Sequence, residues 1–152
     1  SAGLAVREVQ SLVYREPAAP GTPPVPPSLG DGQFDPSGWD QHRLVKPDAP
    51  LLFRFSALTF NSHRIHYDAP YATGEEGYRG LVVHGPLTAS LLLDLAQRTV
   101  GDNALKTFAF RGLSPAVAGE PLHLVMRGEG DGIELGAFAA DGRQVMASSA
   151  SA

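Results

Sequence analysis

The most regular pattern of apolar and polar positions lies in the second half of the chain. In GPLTASLLLDLAQRTV (residues 85–100), Leu87, Leu91 and Leu95 recur with Ala89, Leu92, Leu93 and Ala96, and charged or amide side chains return only at Asp94, Gln97 and Arg98. This spacing predicts a helix that is apolar nearly all round, with its Gly-Pro opening suited to the N-cap and first helical position. Such a helix has to be enclosed, most simply by a curved sheet. Four strand-like runs follow: ALKTFAFRGL (104–113), AGEPLHLVMRGEG (118–130), GIELGAFAA (132–140) and RQVMASSASA (143–152). Asp131-Gly132 and Asp141-Gly142 stand between alternating runs and read as hairpin turns. Upstream, the aromatic and apolar LLFRFSALTF (51–60) reads as a strand, and so does the alternating LAVREVQSLVYR (4–15).

The order from residue 51 is therefore strand, long loop, one buried helix and four antiparallel strands. This is an α+β chain of hot-dog architecture, an antiparallel sheet wrapped around one long central helix. Nine of the 13 prolines fall between Pro17 and Pro50, densest in PAAPGTPPVPP, which can form neither a helix nor a central strand. The expected division is a strand over 1–15, a proline-rich linker over 16–50 and one compact unit over 51–152.

Composition narrows the function classes. A chain of 152 residues is one domain's worth, and 43% hydrophobic with 18% charged residues is ordinary for a globular protein. A net charge of −4 without any lysine or arginine cluster gives nucleic acid no electrostatic footprint. No apolar run approaches the ~20 residues that span a bilayer. The absence of cysteine excludes disulfides and thiolate metal sites, and is compatible with a cytoplasmic setting.

The candidate chemistry gathers in FNSHRIHYDAPYATGEEGYRGLVVHGP (60–86), which holds His63, His66 and His84, three of the five histidines. The residue types alone leave three readings open. His63-x-x-His66 with Asp68 and His84 has ligand chemistry suited to zinc, although no helix puts the first pair on one face. A histidine with a near-neutral pKa suits acid–base work. A buried structural histidine is the plainer alternative. Asp68 is placed to cap a short helical turn around Pro70 to Thr73.

Asn61-Ser62-His63-Arg64-Ile65-His66-Tyr67-Asp68, followed by GLVVHGPLTA, resembles the MaoC-like (R)-specific enoyl-thioester hydratase/dehydratase family of hot-dog proteins. Its usual pattern is Asp-x-Asn-Pro-x-His-x-Asp, then His-Gly at the start of the central helix. The variant FRFSALTFNSHRIHYD is most similar to the branch with fungal mitochondrial hydroxyacyl-thioester dehydratases and bacterial mesaconyl-CoA hydratases. The resemblance implies reversible hydration of an enoyl thioester, of coenzyme A or an acyl carrier, with no cofactor and no metal. It makes His66 the acid–base residue. Asn61, at the position where most of the family has an acid, becomes a water-positioning group, since an amide cannot take the proton. It makes the Gly85 N–H the donor to the enolate oxygen at a helix start. His84 would brace the loop beside the substrate, Arg64 would meet a coenzyme A phosphate or brace the loop, and Tyr67 and Tyr78 would line the acyl pocket or simply pack. A hot-dog thioesterase and a non-catalytic partner half are the competing functions. Hot-dog units pair, so the chain is expected to be the C-terminal half of a double hot-dog protein, or to need a partner chain, with residues 4–15 pairing into the other unit; a self-sufficient homodimer is the alternative.

Overall fold

The structure is a computed structural model that describes residues 3–13, 25 and 27–152. Its elements run β1 (Gln41–Val45), α1 (Ala49–Thr59), a 3-10 turn (Arg64–His66), α2 (Ala69–Gly74), α3 (Gly85–Val100), β2 (Thr107–Gly112), β3 (Leu122–Arg127), β4 (Ile133–Ala139) and β5 (Gln144–Ser151). The five strands form one antiparallel sheet in the order β1-β3-β4-β5-β2. α3 lies across its concave face, so the chain has the hot-dog fold.

Alternation decides which side chains meet the helix. Leu122, Leu124 and Met126 of β3 stand opposite Ala139, Ala137 and Leu135 of β4, and all six join one buried core. Ile133 and Ala137 of β4 face Ala150 and Met146 of β5, which extend the core to that strand. Leu87, Leu92, Leu95 and Ala96 of α3 fill the space above them. The helix is enclosed on this side only, because Leu93, Gln97, Arg98 and Thr99 face outward. Its N-cap is His84, one residue before the expected Gly85, with Pro86 in the first turn. Asp94 ties its outer side to β1, accepting from Arg43 Nη1 at 2.6 Å.

The four C-terminal strands lie within the four predicted runs. The fifth does not. Residues 51–60, expected as a strand, are helix α1, because Asp48 accepts a hydrogen bond from the Leu51 N–H at 2.9 Å and Pro50 sits in the first turn. Its inward face is Leu52 and Ser56, one helical repeat apart, while the aromatic Phe53 that suggested a strand points to solvent. The missing strand is β1, from within the expected 16–50 linker: Gln41 to Val45 pairs with Met126 to Leu122. The linker is also packed where described. Gly30 N–H donates to Asp141 Oδ2 at 2.9 Å, and Phe34 N–H to the Ala140 carbonyl at 3.1 Å. Phe34 stacks on Phe138 and meets His123 at a tilt on the outer face of the sheet, beside Trp39.

Residues 3–13 form no strand in the single chain, and Leu4, Val6, Val9, Leu12 and Val13 are exposed. Tyr14, Arg15 and residues 16–24 of the expected linker lie outside the described residues. The Asp131-Gly132 turn is a longer loop than expected, since the left-handed positions are Gly128 and Gly130. Gly128 has no alternative there, because a Cβ would lie 2.2 Å from the Gly132 carbonyl oxygen. At the second turn Gly142 takes the left-handed position, as its Asp-Gly dipeptide predicts.

Candidate active site

Three segments converge at the start of α3. α1 ends on Phe60 in the left-handed conformation (φ 54°), which returns the Asn61 N–H to the Ser56 carbonyl at 2.9 Å. The 3-10 turn follows and carries His66. Residues 81–83 then run between that turn and residues 116–118: Val82 N–H bonds the Ile65 carbonyl, and Val83 N–H the Ala116 carbonyl, each at 2.9 Å. Ile65, Ala72 and Val82 form a small apolar cluster under this arrangement. His84 leaves it as the N-cap of α3.

His66 is 7% exposed, and its Nδ1 lies 2.7 Å from the Val82 carbonyl oxygen. A carbonyl can only accept, so Nδ1 carries the proton, and in the neutral ring Nε2 is left with a lone pair. The His84 ring, wholly buried, stacks on it with centroids 3.6 Å apart and planes 19° apart. Phe55 meets His84 edge-on, and His63 meets His66 edge-on at 5.5 Å. His84 Nε2 lies 2.8 Å from Ser56 Oγ, and its Nδ1 is buried without a partner among the described residues. Burial pushes the pKa of His66 below 6.5, against the Val82 bond that favours its charged form. His84 is pushed down to about 4 by burial and by the neighbouring His66 and His63. Both rings are therefore neutral near pH 7.

Gly85 begins the helix proper. The helix makes no use of its N–H, and Pro86 has none to offer. Gly85 is exposed, and a Cβ built on it would meet nothing within 4 Å, so this residue of the helix start is left uncovered.

The other sequence candidates are placed differently. Asn61 is half-buried, and its Oδ1 accepts from the His63 N–H at 3.0 Å, closing the turn. Arg64 grips Asp68 Oδ2 through Nε and Nη2, at 3.0 and 2.8 Å, and lies over the Tyr71 ring. Asp68 Oδ1 caps α2 through the Tyr71 N–H, as expected. The Tyr67 hydroxyl donates to the Ser62 carbonyl at 2.8 Å. Tyr78 lines a cavity of about 190 Å³ with Pro27, Leu29, Arg79, Pro115, Val117 and Arg143, none of them from the histidine stack. Of the donors in the zinc reading, Asp68 is held by Arg64 and the Tyr71 N–H, and no three His, Cys, Asp or Glu side chains among the described residues converge as a metal site.

Sequence reasoning missed Ser56, Phe55 and the Val82 carbonyl. The first two were hidden by reading 51–60 as a strand. The signal that would have placed them is Asp48-Ala49-Pro50, the same tripeptide as Asp68-Ala69-Pro70, whose aspartate was read as a cap.

The family model described as hydroxyacyl-thioester dehydratase type 2 matches residues 1–118. The chain belongs to that family. It is 50% identical over 140 residues to the mesaconyl-C(4)-CoA hydratase of Chloroflexus aurantiacus, covering 91% of this chain and 48% of that one. It is 33% identical over 132 residues to the mitochondrial hydroxyacyl-thioester dehydratase type 2 of Schizosaccharomyces pombe, covering 84% and 41%. The chain thus spans about half the length of these family members. The solved (R)-hydratase from A. caviae shares the fold, with a TM-score of 0.62 at 18% identity over 72% of this chain and 89% of that one.

Proposed function

We propose that this chain carries the catalytic half of a hydro-lyase that adds water reversibly across the double bond of an enoyl thioester. The observation behind this reading is the pairing of a buried, neutral histidine, whose Nε2 is left with a free lone pair, with the unused amide of an exposed glycine at the adjoining helix start. In hydration, His66 Nε2 takes a proton from water as the hydroxyl oxygen bonds to the β-carbon. The electron pair of the double bond moves into the thioester, and the Gly85 N–H holds the resulting enolate oxygen. The imidazolium then returns the proton to the α-carbon, so one water is added and the ring ends neutral. Asn61 positions the water through its amide N–H groups. The step needs no cofactor. The relationship to a mesaconyl-C(4)-CoA hydratase favours a short, branched dicarboxylic acyl group on coenzyme A.

The same reading places a second hot-dog unit beside this one, supplied by the rest of a longer chain, by a partner chain or by a second copy. The exposed apolar side chains of residues 3–13 and the exposed Phe110 on edge strand β2 are surfaces such a unit would cover.

The test follows the loss of enoyl absorbance across short, branched and dicarboxylic enoyl-CoA thioesters, with thiol release measured in parallel. Hydration without thiol release is expected, and His66→Ala should lower it by about 10²–10⁴-fold. Thiol release as the main reaction would favour the thioesterase instead. Activity of His66→Ala within a few-fold of the parent would remove His66 from its role.

A further inference from the structure

Acid–base and oxyanion roles for His66 and Gly85 leave one buried contact without a purpose. Ser56, 6% exposed on the inward face of α1, reaches across to His84 Nε2 at the N-cap of α3. Other helical hydroxyls fold back on the carbonyl four residues earlier: Thr59 on Phe55 at 2.7 Å, Ser90 on Pro86 at 2.8 Å, Thr99 on Leu95 at 2.9 Å. Ser56 does not, and its hydroxyl partner among the described residues is the imidazole. His84 Nδ1, on the same ring, has none.

Two tautomers are open to a neutral His84. With the proton on Nε2, that nitrogen donates to Ser56, and both the hydroxyl hydrogen and the Nδ1 lone pair are buried without partners. With the hydroxyl donating to Nε2, the proton sits on Nδ1 and only that one group stays unpaired. A buried unpaired polar group is costly, so the second arrangement is favoured.

We propose that Ser56 is a positioning residue of the active site: its hydroxyl donates to His84 Nε2, fixes that ring as the Nδ1–H tautomer and holds it face-on to His66. Because His84 is also the residue before Gly85, one hydrogen bond then sets both the acid–base ring and the helix-start amide against each other. The proposal rests on the hydration reading above. Loss of the hydroxyl would free His84 to rotate or exchange its proton, disturbing groups that act in the transition state rather than those that hold the rest of the thioester.

The experiment compares the parent with Ser56→Ala and Ser56→Thr by steady-state kinetics and by NMR of ¹⁵N-labelled histidine. The parent should show His84 protonated at Nδ1 and bare at Nε2. In Ser56→Ala the Nε2-protonated form should appear, with kcat down about 10- to 100-fold and KM within about twofold. Ser56→Thr, which keeps the hydroxyl, should hold the parent tautomer and most of the kcat. A parent protonated at Nε2 overturns the proposal. So does Ser56→Ala with tautomer and kcat unchanged, or a folded Ser56→Thr as impaired as Ser56→Ala. The tautomer is read without turnover, so a parent inactive on every thioester would end the hydration reading while the NMR result still decides the role of Ser56 in setting His84.

Discussion

His66 and His84 are buried face to face, and the same burial that keeps them neutral links the fold to pH. Both bind protons more weakly in the folded chain than in the unfolded one. As pH falls from about 6.5 toward 4, the unfolded chain takes up protons that the native rings refuse, so stability is lost on the acid side and is fully present above 6.5. For His84 alone the displacement from 6.5 to about 4 corresponds to about 3 kcal/mol. Denaturant unfolding between pH 4 and 7.5 should show this loss, and His84→Gln should flatten the slope. A slope unchanged in His84→Gln would mean that other groups set the acid limb. At this scale His66 and Gly85 could be singled out in the sequence because their neighbours form a spaced motif. Ser56 could not, because a lone serine in an apolar run has no meaning until the run is known to be helical.

At the scale of elements, helix α1 decides whether the site is assembled. Its inward face presents Ser56 and Phe55 to His84, and its left-handed end at Phe60 directs Asn61. Asp48 caps this helix through the Leu51 N–H, so Asp48→Ala should destabilise the protein by about 1 kcal/mol. Thermal unfolding checks this, and Asp48→Asn should restore most of it. The strands after α3 were legible because strict alternation leaves one register that buries Leu122, Leu124 and Met126 together. α1 was not, because Phe53 and Phe55 alternate as in a strand while its inward face holds a serine. β1 was hidden in proline-rich sequence, since its residues are mostly exposed and little in them alternates.

For the whole molecule, the chain covers one hot-dog unit and about half the length of the family members it matches. Among the described residues no helix is long and apolar enough to cross a membrane. The order β1-β3-β4-β5-β2 has a further consequence, for the path by which the chain reaches this state. β3, β4 and β5 are joined by short turns and can zip together as successive hairpins. β2 has β5 as its sheet neighbour, and the strap around Gly30 and Phe34 is fastened to the β4–β5 turn. On a ribosome delivering the chain from its N-terminus, β1 waits for β3, and β2 and the strap wait for β5 and the turn before it. Such long-range closure is slow compared with hairpin formation. Pulsed hydrogen exchange during refolding should therefore find the amides of β3, β4 and β5 protected first, and those of β1 and β2 later. Protection of β2 ahead of the central hairpins would refute this order. Until β3, β4 and β5 are all in place, the apolar face of α3 is not fully covered, and that interval is when the chain is most exposed to aggregation.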